Sequence, residues 1–314
     1  QSPDETLRAL VLPPTPKPAH AATLVSMMIP EPFPQPLANT REVRILLVED
    51  NPVNLLVAQK LLAVLGFEAD TATDGEAALT SMEATCYDMV FMDCQMPVLD
   101  GYAATRRWRA METERGGRPV PIVAMTANAM AGDRERCLAA GMDDYLSKPV
   151  AREQLDACLQ RWLPRQPQSP GPTSAAPLAP ENASSTVQQA SALPILDNSV
   201  IDELYAVAGA DTVTILNLFL EDAPLIIERL DAAAANRDSV QLRDLAHVLK
   251  SSSANVGATA VSNAARRIEL AARNGAIERP SVMVALVIAE YARARLALLG
   301  QLARLQAIIN TTSQ

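Results

Sequence analysis

Proline limits where regular structure can run, because it lacks the N–H that helices and sheets use and holds φ near about −65°. Nine of the 23 prolines fall before residue 41 and seven between Pro164 and Pro194, leaving seven for everything else. Residues 1–40 and 164–194 are therefore expected to be linkers. The first runs PPTPKP and PEPFPQP, the second is rich in Pro, Ser, Ala and Gln, and neither keeps a sustained period. What remains is two blocks of ordinary domain size, 41–163 and 195–312.

Composition narrows the function classes. With 49% hydrophobic residues the blocks can bury cores, and a formal charge of −9 is the wrong sign for phosphate contacts, so no nucleic-acid partner is expected. The longest clean apolar stretch, 282–289, stops at Glu290 and is too short to span a bilayer, so a soluble, cytoplasmic chain is expected. Gln1 in place of Met, followed by Asp4 and Glu5, reads as a piece of something longer without a secretory leader. Cys86, Cys94, Cys137 and Cys158 form no CxxC pair and are expected to be reduced thiols. Only His20 and His247 are available for imidazole chemistry, and His20 sits in the first linker.

The first block alternates β-rich runs with amphipathic stretches: VRILLV at 43–48, FEADTAT, DMVFM at 88–92, PIVAM at 121–125 and DYLS, each followed by a helical pattern. Asn51 with Pro52 is a helix start, and Gly66 a stop. Five β/α units predict an α/β doubly wound, five-stranded parallel sheet. Such sheets bind ligands beyond the carboxyl ends of their strands. Glu49 and Asp50, Asp93, Thr126 and Lys148 all fall at those ends. Three carboxylates in one crevice repel unless a cation is present, and hard oxygen ligands suit Mg²⁺. With a lysine and a hydroxyl beside them, they are the parts that position a phosphoryl group for transfer to a carboxylate.

The motifs VEDNPVN at 48–54, MDCQMPVLDG at 92–101, MTAN at 125–128 and YLSKP at 145–149 resemble the receiver domains of two-component response regulators, which are flavodoxin-like. The resemblance implies that Asp93 accepts phosphate, and that Glu49, Asp50, Asp93 and the backbone carbonyl of Gln95 hold Mg²⁺. It further implies that Thr126 and Lys148 contact the phosphoryl oxygens, and that Tyr145 is a switch aromatic moving with Thr126.

From 195 onward helical spacing dominates. Helices are expected at about 198–208, 212–236, 239–255, 258–274 and 281–308, forming an all-α bundle in which Pro224 kinks or splits the second. In the third, Leu242, Leu245, Leu249, Ser252, Ser253 and Val256 share the core stripe, which places His247 nearly opposite, facing solvent. Arg243 and Lys250, one turn away on either side, would favour a neutral imidazole. The run AHVLKSSSANVGA at 246–258 resembles the histidine-containing phosphotransfer, or HPt, domain, a four-helix bundle. That resemblance implies that His247 carries phosphate and Lys250 assists it.

Together the blocks resemble the carboxy-terminal part of a hybrid sensor histidine kinase. The implied route runs from a kinase histidine to Asp93, then to His247, then to an aspartate of a separate response regulator. The upstream histidine kinase core is expected in the same polypeptide, and anchoring of the parent protein in the inner membrane stays open; no ATP-binding motif is present in this chain. Two alternatives stay open: a receiver switch joined to a docking bundle that is never phosphorylated, and a phosphatase using Asp93.

Overall fold

The computed structural model describes residues 43–116, 118–126, 131–163, 194–275 and 277–312. The linkers at 1–40 and 164–193, His20 and the last two residues of the MTAN motif lie outside the described residues. The described residues form one compact unit.

β1 (Ile45–Val48), β3 (Met89–Asp93) and β4 (Ile122–Thr126) are buried along their whole length. Their near-continuous apolar sequences are those of strands covered on both faces. β2 (Ala69–Ala72) and β5 (Asp144–Ser147), more polar and more exposed, take the edges. All pairings are parallel, in the order β2-β1-β3-β4-β5. The direction of winding reverses between β1 and β3, so the crevice lies beyond the ends of these two strands.

The intervening helices are α1 (Pro52–Val64), α2 (Gly75–Ala84), α3 (Gly101–Arg115), α4 (Ala131–Ala139) and α5 (Arg152–Trp162). Asn51 caps α1 by accepting from the Asn54 N–H, and Asp74 and Asp100 do the same for α2 and α3. One apolar cluster lies on the side that includes α1 and α5; the other gathers Leu46, Val90, Met92 and Trp108.

The second half comprises α6 (Asn198–Ala208), α7 (Asp211–Ala235), α8 (Ser239–Asn255), α9 (Thr259–Arg273) and α10 (Pro280–Thr312). α7, α8, α9 and α10 pack in a closed ring, each against the next, with α6 laid on α7. α1 packs against α6, α7 and α8, and its buried residues belong to the same apolar cluster as the bundle's interior. Among the described residues, no helix is long and apolar enough to cross a membrane.

Pro224 does not split the helix: α7 is a single helix of 25 residues running through it. A proline deprives the carbonyl four residues back of its donor, here that of Leu220. The Tyr291 hydroxyl, from α10, donates to that carbonyl at 3.2 Å, and the ring packs edge-on against Phe219 at 6.3 Å. A neighbouring helix thus satisfies the group that proline orphans. Tyr291→Phe should destabilise the bundle by about 1–2 kcal/mol in urea unfolding. Adding Pro224→Ala, which restores the N–H, should recover most of the loss; an unchanged unfolding midpoint in Tyr291→Phe would contradict this role.

Candidate functional site

Sheet topology gathers an acidic cluster. Glu49 follows β1 and extends its pairing, its N–H donating to the Ala72 carbonyl at 3.0 Å. Asp93 ends β3, and both carboxylates are 2% exposed, too buried to be ordinary loop-end acids. Gly101 makes this possible: a Cβ there would lie 2.0 Å from the Asp93 carbonyl oxygen, so only glycine lets α3 start against that strand end. Carboxylate oxygens of Glu49, Asp50 and Asp93 lie within 4.8 Å of one another.

One buried ammonium answers them. Lys148, just past β5, donates to Asp93 Oδ2 at 2.7 Å and pairs with Glu49 Oε2. The Gln95 N–H donates to the other Asp93 oxygen at 3.1 Å. Burial and the Asp93 charge, against Lys148, push Glu49 up to about 7. Asp50 rises to about 6, first through burial and then through Asp93. Burial opposes the charge on Lys148, but Asp93 and Glu49 outweigh it and hold its pKa above the ordinary value. An excess of hard oxygen donors over cations, two of them reluctant to ionise, is a donor set that Mg²⁺ fits. Thr126 is buried at the end of β4, its carbonyl accepting from the Lys148 N–H at 2.7 Å. Tyr145 is half-buried on β5 beside the cluster that contains Met92 and Cys94.

His247 departs from expectation. The core stripe of α8 is buried as read, but His247 is only 5% exposed and does not face solvent. Its side of α8 is closed by α9 and by the sheet-containing half. Nδ1 lies 3.0 Å from Glu269 Oε1 on α9, and the same carboxylate pairs with Lys250 and, at 2.9 Å, with Arg273. Burial alone would raise Glu269, but the bond from His247 and the nearby cations hold it at about 2. It can then only accept, so Nδ1 carries the imidazole proton and Nε2 the lone pair. Nε2 is buried without a hydrogen-bond partner. The imidazole is held below its ordinary pKa chiefly by burial; Lys250 adds little, and Arg243 is turned to Asp244 at 2.8 Å. The neutral form thus has a different cause from the two flanking cations.

The structure brings these two sites together. His247, Arg273, Asp50 and Gln95 line one cleft between the halves, and the Asp93 charge acts on His247. Lys148, Lys250, Ser251 and Glu269 line a second. Asn255 Nδ2 donates to Asn54 Oδ1 at 2.8 Å, Arg273 reaches Gln95 at 3.4 Å, and Lys60 pairs with Asp211. Glu269, Arg273 and Asn54 were not singled out from sequence. Glu269 did leave a signal, lying four residues after Ala265 and next to Ile268 on the buried stripe of α9, where an unpaired acid would be costly.

Residues 45–160 match the family model of the response regulator receiver domain, and residues 214–307 that of the Hpt domain. The chain is a receiver domain followed by an Hpt domain. Its relatives include sensor histidine kinases. The sensor histidine kinase GacS of Pseudomonas protegens is 34% identical over 236 residues, 75% of this chain and 25% of that protein. RcsC of Salmonella typhi is 39% identical over 124 residues, 40% of this chain and 13% of that one. The chain thus spans a quarter or less of the length of these relatives. Among solved structures, the receiver domain of a Pseudomonas aeruginosa sensor histidine kinase, crystallised with magnesium in its active-site cleft, is 54% identical. The match covers 38% of this chain and 97% of that one, with a TM-score of 0.36.

The raised pKa of Asp50 in the receiver domain has a sign that can be checked. Stability from its protonated form is full below about pH 4 and is lost as pH rises through about 6. At pH 7 without divalent cations, Asp50→Asn should therefore raise Tm by several degrees, at about 2–4 °C per kcal/mol for a chain of this size. The gain should vanish near pH 4 in thermal melts. A variant less stable than the native chain at pH 7 would contradict the repulsion.

Proposed function

We propose that this chain is a phosphorelay module in which Asp93 accepts a phosphoryl group from a kinase histidine and passes it to His247. His247 then passes it to an aspartate of a separate response regulator. The observation that carries this reading is a neutral imidazole in the cleft lined by Asp50 and Gln95, near enough to Asp93 for that charge to act on the ring. Glu269 holds Nδ1 of that imidazole and leaves Nε2 bare.

Glu49, Asp50 and Asp93, with the backbone carbonyl of Gln95, would hold Mg²⁺, which when bound neutralises charge on the phosphoryl oxygens. Lys148, already on Asp93 Oδ2, would share the phosphoryl charge, with the Thr126 hydroxyl as a further donor. In the transfer to His247, the Nε2 lone pair attacks phosphorus, the P–O bond to Asp93 breaks, and the carboxylate leaves with the bonding pair. The ring gains positive charge as the P–N bond forms. Glu269 stabilises it through the Nδ1 proton, which stays on the ring, and Lys250 and Arg273 offset the incoming phosphoryl charge. Tyr145, opposite Ala124 of β4 and two residues before the end of β5, is proposed to change position when the phosphoryl group arrives.

The same reading places a kinase core elsewhere in a longer polypeptide, as in the sensor kinases that resemble this chain, and puts the relay in the cytoplasm. The segment at 164–194 would tether the domains and keep transfer intramolecular. Because docking buries His247, the receiver domain must leave before a downstream receiver can reach it.

Labelling with acetyl phosphate and Mg²⁺ tests the route. The native chain should acquire acid-labile, base-stable phosphohistidine. His247→Gln should retain only base-labile acyl phosphate, and Asp93→Asn should take no label. Label confined to Asp93 in the native chain would overturn the internal transfer.

A further inference from the structure

Both asparagines of the VEDNPVN motif reach the Hpt domain, and the second also holds the acidic cluster. Asn51 Nδ2 lies 3.4 Å from Asp222 Oδ2, a weak contact. Asn54, buried in the first turn of α1, is engaged at both ends of its side chain. Its Oδ1 accepts from Asn255 Nδ2 at 2.8 Å, and its Nδ2 donates to Glu49 Oε1 at 2.9 Å. The other Glu49 oxygen accepts from Lys148, whose ammonium also donates to Asp93 Oδ2 at 2.7 Å. An unbroken chain of hydrogen bonds therefore runs from α8 of the Hpt domain to Asp93.

The polarity of this chain is set from the receiver side. Glu49, paired with Lys148, accepts, so Asn54 must turn its amide nitrogen toward it and present its oxygen outward. Only a donor can satisfy that oxygen, and Asn255, at the last position of α8, is a donor. Without that partner the Asn54 amide is free to rotate, and the Glu49 carboxylate loses a fixed neighbour. Groups that orient a metal-binding carboxylate from behind typically change metal affinity about 10–100-fold when removed.

We propose that Asn54 is a positioning residue coupling Hpt docking to the divalent-cation site, with Asn255 holding the amide that orients Glu49. This rests on the reading of Glu49, Asp50 and Asp93 as a Mg²⁺ site. The coupling is reciprocal: whatever factor docking adds to Mg²⁺ affinity, Mg²⁺ adds to docking. The receiver and Hpt sites would then come together preferentially when the cation needed for transfer is in place.

Calorimetric titration of the full chain with MgCl₂ tests the coupling without measuring activity. Asn255→Ala, which touches no residue of the cation site, should weaken Mg²⁺ binding severalfold, and Asn54→Ala should weaken it by about tenfold or more. In the Asn54→Ala background, Asn255→Ala should have no further effect, because the route passes through Asn54. Should Asn54→Ala fail to fold, Asn54→Ser replaces it. Unchanged affinity in Asn255→Ala, or an equal loss in both backgrounds, would overturn the coupling and leave the Mg²⁺ site standing. A native chain that binds no Mg²⁺ would instead overturn the reading of the acidic cluster.

Discussion

Three carboxylates gathered at the ends of two adjacent parallel strands are an unfavourable arrangement, and the Lys148 ammonium between Glu49 and Asp93 offsets it only in part. Burial first, and the Asp93 charge after it, hold Glu49 and Asp50 above the ordinary carboxylate range. The excess of carboxylates makes the crevice a place that gains from further positive charge, whether from a cation or from a partner surface. The Hpt face is the complement. There a single buried carboxylate, Glu269, serves Lys250, Arg273 and the His247 ring together, leaving an excess of cations. An acid-rich cleft and a cation-rich helix face meet through α1, whose apolar residues merge into the bundle's core.

Geometry at His247 turns this complementarity into chemistry. Glu269 fixes which ring nitrogen holds the proton, burial keeps the ring neutral, and the free lone pair belongs to the buried nitrogen without a hydrogen-bond partner. On the proposed route the same burial would make the encounters sequential, since one face of α8 cannot serve two receivers at once.

Much of the fold was legible because its signals are local. The parallel sheet follows from five apolar runs separated by helical patterns, and the acidic cluster from knowing that such runs end on one edge. The bundle's helices were visible through the helical spacing that runs from 195 onward. What stayed hidden depends on contacts between distant segments. The period of α8 identifies one buried stripe, but the burial of His247 comes from α9 and from another domain, which no single-helix pattern contains. Pro224 reads as a kink or a split until Tyr291, 67 residues later, supplies the missing donor to Leu220. Asn54 reads as an ordinary first-turn residue until Asn255 is placed opposite it.

On the proposed route, Asp93 and His247 exchange phosphate within one chain. The most direct test is the concentration dependence of the single-turnover transfer. Chains labelled on Asp93 would be followed by rapid quench as the label becomes acid-labile phosphohistidine. A first-order rate that stays constant across a hundredfold dilution is the result expected of an intramolecular encounter. A rate falling in proportion to protein concentration would show that His247 receives phosphate from another molecule, and would contradict the docked arrangement as the reacting one.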